Sequence, residues 1–113
     1  MILADTSVWV DHFRSPSAAM RTLLVSRQLL THRMVIAELA CGQLPERRST
    51  LALLHLLPRL EELPDAEVLG TIERKRWWGL GIGWVDAHLA AASLTAGIPL
   101  WTLDRRLSRL LHG

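Results

Sequence analysis

The stretch GWVDAHLAAASLTAGIPLWTLDRRL, residues 83–107, reads as a helix, a turn and a strand in succession. No Asp, Glu, Lys or Arg interrupts it from Ala87 to Leu103. Its alanine-rich part predicts a helix over Trp84 to Ala96, and Gly97 stands where a helix end favours a left-handed residue. Pro99 to Leu103 then predicts a strand, with Asp104 at its end and a short helix over Asp104 to Leu111. A buried helix that feeds a short apolar strand is half of a crossover unit, and such units build parallel sheets.

The same grammar holds on either side. MILADTSVWVDHF opens the chain with a strand over Ile2 to Ala4, an acid at Asp5 and a short helix around Val8 to Phe13. Between the two ends the spacing predicts a helix over Ala18 to Ser26 and a short strand at Leu29-Leu30. Thr31 is expected to cap a helix from about Met34 to Gln43. A helix over Glu46 to Leu57 follows, stopped by Pro58, then a short strand over Leu60 to Leu63. Asp65 is expected to cap a helix over Ala66 to Trp77, and GLGIG (residues 79–83) forms a loop. The fold class is therefore α/β, one domain over residues 1–113, with helices covering a short parallel sheet.

Composition narrows the function. The chain is 50% hydrophobic, with a mean hydropathy of +0.20, a net charge of +2 and a pI near 9.5. It contains one cysteine, Cys41, which excludes an internal disulfide and a cysteine-rich zinc site and reads as a small core residue. No stretch is apolar enough to span a membrane and no signal segment is visible, so the expected location is the cytoplasm. Twelve of the 13 basic residues are Arg, whose planar fork suits phosphate.

Three acids stand apart from the mixed charges of the helix faces. Asp5 is the only charge in the first ten residues, Glu38 the only one between Arg33 and Glu46, and Asp86 the only one between Arg76 and Asp104. Each has an ordinary reading. Asp5 would serve the following turn, Asp86 the positive end of its helix, and Glu38 an exposed face. Their recurrence in apolar segments points instead to one shared place. Ligands of parallel sheets bind beyond the carboxyl ends of the strands, where Asp5, Asp104 and the start of the Asp86 helix all fall. Clustered carboxylates without a paired cation repel unless a divalent ion sits among them. All-oxygen donors select Mg²⁺ or Mn²⁺, the ions of phosphate chemistry.

Taken together, ADTSVWVDH, the Glu of VIAELACG, GLGIGWVDAHLAAA and LWTLDRRL resemble a PIN domain, and more narrowly the VapC-type toxins of bacterial type II toxin–antitoxin modules. The resemblance covers essentially the whole chain, in order. It implies an α/β/α sandwich around a short parallel sheet and a Mg²⁺-dependent endoribonuclease that Mn²⁺ also serves. It further implies a homodimer and a cognate VapB-type antitoxin. Carried onto this sequence, the catalytic and metal-binding acids are Asp5, Glu38, Asp86 and Asp104. Thr6 or Ser7 would support the first Asp, and Thr102 precedes the last acid. The family often has a further acid two residues after the last one, where this chain has Arg106. Little room is left after the final helix for the terminal strand that many members carry.

Other side chains carry weaker signals. Arg105, Arg106 and Arg109 follow the acidic rim and could grip an RNA backbone or form an ordinary solvated face; Arg14 and Arg33 are weaker cases. His88 lies about 200° around the helix from Asp86 and reads as packing rather than as a base. His12 is a lesser candidate for approaching the site. Trp77, Trp78 and Trp84 read as core or subunit-interface residues before base-stacking ones. An Asp-phosphatase of the haloacid dehalogenase type needs an acid two residues after Asp5, where Ser7 stands. A receiver domain needs a late-strand Lys, yet the single Lys75 falls in a helix. Cleavage of DNA, or RNA binding without catalysis, are the alternatives to RNA cleavage.

Overall fold

β1 (Ile2–Ala4) lies at the centre of a parallel sheet ordered β2-β1-β3, with β2 (Leu29–Leu30) on one side and β3 (Leu100–Trp101) on the other. Leu3 sits opposite Leu30 in one neighbour and Leu100 in the other, and Ala4 opposite Trp101. The computed structural model describes residues 1–112; seven helices flank the sheet among them, so the protein is an α/β sandwich as expected. They are α1 (Thr6–Arg14), α2 (Ala18–Val25), α3 (Arg33–Ala40), α4 (Arg47–Leu56), α5 (Asp65–Lys75), α6 (Trp84–Ala96) and α7 (Arg105–His112).

Two apolar clusters hold the layers together. One gathers Leu3, Ala4, Trp9, Met20, Leu29, Val35 and Leu54 around the sheet; the other joins Val68, Trp77, Ala90 and Leu107 across α5, α6 and α7. Helix α6 belongs to both, because Leu89 faces the first cluster and Ala87, Ala90 and Ala91 the second. A helix covered nearly all round must be apolar all round, and small side chains let its neighbours approach closely. That is the physical content of its alanine run.

Several expectations need correction. The cap of α3 is His32, whose Nδ1 accepts the Met34 N–H at 3.0 Å, and not Thr31. Thr31 is spent in the backbone: it forms a single parallel bridge to Arg59, and its carbonyl accepts the Leu60 N–H at 2.8 Å. The strand expected over residues 60–63 reduces to that one bridge. Pro64, with no side chain able to cap, precedes α5, which begins at Asp65 itself. Cys41 is exposed rather than in the core. Of the three tryptophans near the GLGIG loop only Trp77 is core, whereas Trp78 is 56% exposed.

Candidate active site

Helix α1 begins at Thr6, earlier than expected, which makes Asp5 its N-cap and turns its carboxylate back over the strand ends. Oδ1 of Asp5 accepts the Val8 N–H at 3.3 Å, so the ordinary capping reading is correct as far as it goes. Two hydroxyls also converge on it. Ser7 donates to Oδ1 at 2.5 Å and Thr102 donates to Oδ2 at 2.6 Å, and the residue is only 5% exposed. Each hydroxyl also accepts a backbone N–H from beyond β3, that of Leu103 at 3.0 Å for Ser7 and that of Asp104 at 3.0 Å for Thr102. An N–H can only donate, so each hydroxyl proton is left for Asp5. The network ties the end of β1 to the segment that carries Asp104.

Asp104 lies exposed at the start of α7, with Oδ1 accepting the Arg106 N–H at 2.9 Å. Asp86 enters from the first turn of α6, where Oδ2 accepts the Gly83 N–H at 3.2 Å. Partial burial pushes the Asp86 carboxyl above its ordinary range; the Gly83 bond opposes that shift, and the charges of Asp104 and Asp5 add to it. Asp86 is thus both a cap and a member of an acidic set. Glu38, on α3, is tied to the residue after Asp5: the Thr6 hydroxyl donates to its Oε1 at 2.5 Å. Thr6 therefore serves Glu38, and Ser7 serves Asp5.

The location follows from connectivity. The chain leaves β1 for β2 on one side and returns past β1 to reach β3 on the other. The crevice beyond the carboxyl ends at that reversal is the usual ligand position of a parallel sheet. Among the described residues none of the four acids is in an ion pair; Arg33 is taken by Glu62 at 2.9 Å and His88 by Asp65 at 3.1 Å. No three His, Cys, Asp or Glu side chains among the described residues already form a group set to hold a metal ion. The donor chemistry nonetheless suits a hard divalent cation: carboxylate oxygens, a buried anchor held by neutral hydroxyls, and no ion pair to any of the four acids among the described residues.

Other candidates resolve clearly. His88 is buried against Trp84, edge to face at 4.6 Å between ring centroids, and is not a base for this site. His12 accepts the Ser17 N–H on Nδ1 at 2.9 Å and lines a separate cavity between α1 and α4. Arg14, the weaker candidate, borders a cavity of about 400 Å³ with Thr6, Phe13, Glu38 and Gln43. The backbone donor from Leu103 could not be anticipated, since a loop N–H leaves no mark in the sequence.

The PIN domain family matches residues 2–111. Ribonuclease VapC32 of Mycobacterium tuberculosis, in the CDC 1551 / Oshkosh and the ATCC 25618 / H37Rv strains, is 43% identical over 108 residues, which is 95% of this chain and 87% of the relative. The crystal structure of PAE2754 from Pyrobaculum aerophilum superimposes with a TM-score of 0.68 at 21% identity, covering 99% of this chain and 85% of the other, and supports the fold.

Proposed function

The chain belongs to the PIN domain family, and on that premise we propose that it is a divalent-metal-dependent endoribonuclease, the toxin of a toxin–antitoxin pair. The observation that carries the reading is the buried Asp5 carboxylate at the sheet's reversal, with Asp86 and Asp104 close enough for their charges to be felt. Asp5, Asp86 and Asp104 would hold the ion, Mg²⁺ or in its place Mn²⁺, with Glu38 completing the acidic set. The chemistry such an ion would supply is activation of water for attack on the phosphodiester and compensation of the charge that develops on phosphate.

The chain's own residues do the rest. Ser7 and Thr102 fix both oxygens of Asp5, Thr6 fixes Glu38, and the Gly83 N–H fixes Asp86. Arg105, Arg106 and Arg109 stand on the first turns of α7, beside Asp104, where phosphate groups of RNA would be drawn. The whole of residues 1–113 acts as one nuclease domain in the cytoplasm. Apolar surface supports protein partners, a VapB-type antitoxin and a second subunit: Val25, Leu53 and Leu56 are 86%, 64% and 80% exposed.

The test is cleavage of matched RNA and DNA strands with Mg²⁺, with Mn²⁺ and with EDTA, for the wild type and Asp5→Asn. Metal-dependent cutting of RNA by the wild type alone is the expected result. Preferential cutting of DNA, or RNA binding with no cutting at all, would replace the reading.

A further inference from the structure

Residues of α5, α6, α7 and the loop between α5 and α6 line an open cavity of about 430 Å³. Lys75, Arg106, Arg109 and His112 supply its polar wall, while Trp77, Leu80 and Leu94 lie among its apolar residues. Lys75, Arg106 and Arg109 are exposed, and among the described residues none of the three is in an ion pair. Three cations on one concavity, unpaired among the described residues, favour an anionic ligand with repeated charges over a single small anion.

The cavity is joined to the acidic site through Arg106. Its main-chain N–H holds Asp104, and its side chain crosses the 79–83 loop to donate to the Gly81 carbonyl at 3.4 Å. Gly81 has φ +77°, and a Cβ there would lie 3.1 Å from Cδ of Arg106. Loop and arginine are thus fitted to each other. The same loop ends at Gly83, the donor that holds Asp86. A strand of alternating phosphates and bases lying in the cavity would meet both cations and apolar side chains, with Arg106 between it and Asp104.

We infer that this cavity holds the backbone of single-stranded RNA on one side of the scissile phosphate, with Lys75 and Arg109 as phosphate contacts. The choice of RNA rests on the nuclease reading above; Lys75 comes from the cavity alone.

The experiment measures binding of a short, labelled, single-stranded RNA of mixed sequence in EDTA, at several salt concentrations. The proteins compared are wild type, Lys75→Ala, Arg109→Ala and, as a reference, Arg48→Ala on the remote helix α4. All three substituted side chains are exposed, and equal melting temperatures verify folding. Loss of one phosphate contact on a single strand lowers the slope of log affinity against log salt by about 0.7, or about fivefold in affinity near 0.1 M salt. Lys75→Ala and Arg109→Ala are each expected to show that loss, and Arg48→Ala none. Unchanged affinity and slope in both cavity variants, in a protein that still cuts RNA with Mg²⁺, would overturn the assignment while leaving the nuclease. The expected losses in a protein that cuts nothing with metal would keep the cavity and remove the nuclease.

Discussion

Asp86 is the residue on which two roles can be separated by measurement. As a cap alone it contributes a charge–dipole term of about 0.3–1 kcal/mol, so Asp86→Asn would lower stability slightly and spare activity. As a member of a crowded acidic set, already pushed toward its neutral form, it costs the metal-free protein something to keep charged. Asp86→Asn is then expected to melt in EDTA at or above the wild-type temperature, while RNA cleavage in Mg²⁺ drops by orders of magnitude. Ser7→Ala is the complementary change. It strips a donor from a buried carboxylate and an acceptor from the Leu103 N–H. Denaturant titration is expected to show a loss of about 1–3 kcal/mol, accompanied by weaker cleavage. Asp5, Glu38 and Asp86 stood out in the sequence because each interrupts an apolar segment, and Asp104 because it ends a strand. The division of labour between Thr6 and Ser7 was not, since adjacent hydroxyls look alike until a helix start turns them apart. Cys41 misled for a related reason: an apolar run marks a buried helix and says nothing of which residue falls past its end.

Elements add effects that no one side chain has. His32 caps α3 with its unprotonated Nδ1, and its Nε2 is buried without a partner among the described residues. Burial, and next to it the His88 ring, hold its pKa at about 4, against 6.5 in the unfolded chain. Below pH 6.5 the unfolded chain takes up a proton that the folded one refuses. Stability is therefore intact above 6.5, falls by up to about 1.4 kcal/mol per pH unit toward 4, and levels off below it after a loss of about 3 kcal/mol. Melting curves across that range are expected to show this slope in the wild type and a flatter one in His32→Asn. At the other end of the sheet, Gly97 closes α6 at φ +66° with open space where a Cβ would go. Gly97→Ala is expected to cost about 1 kcal/mol through backbone conformation alone, read as a lower melting temperature with cleavage retained. This cap was legible because only glycine adopts that geometry freely. His32 was not, because histidine is an uncommon cap and Thr31, its better-suited neighbour, was claimed by the bridge to Arg59.

At the scale of the whole molecule, the acids and their supports come from both ends of the chain and from its middle, and a divalent ion would bind only the folded arrangement. Mn²⁺ or Mg²⁺ at about one hundred times the dissociation constant is expected to add about 2.7 kcal/mol, visible as a higher melting temperature than ionic strength alone produces. The parallel sheet and its order of helices were legible from alternating apolar runs and turn residues. The basic cavity was not, since Lys75, Leu94 and Arg109 come from three separate helices and carry no shared pattern. The strand order has a further consequence, for synthesis. β1 is made first, yet one of its partners spans residues 100–101, and both hydroxyls that hold Asp5 take their second bond from residues 103 and 104. Contacts so distant in sequence form late. A growing chain thus carries its first acid long before the contacts that hold it, and the network around Asp5 cannot close until residues 100–104 have left the ribosome.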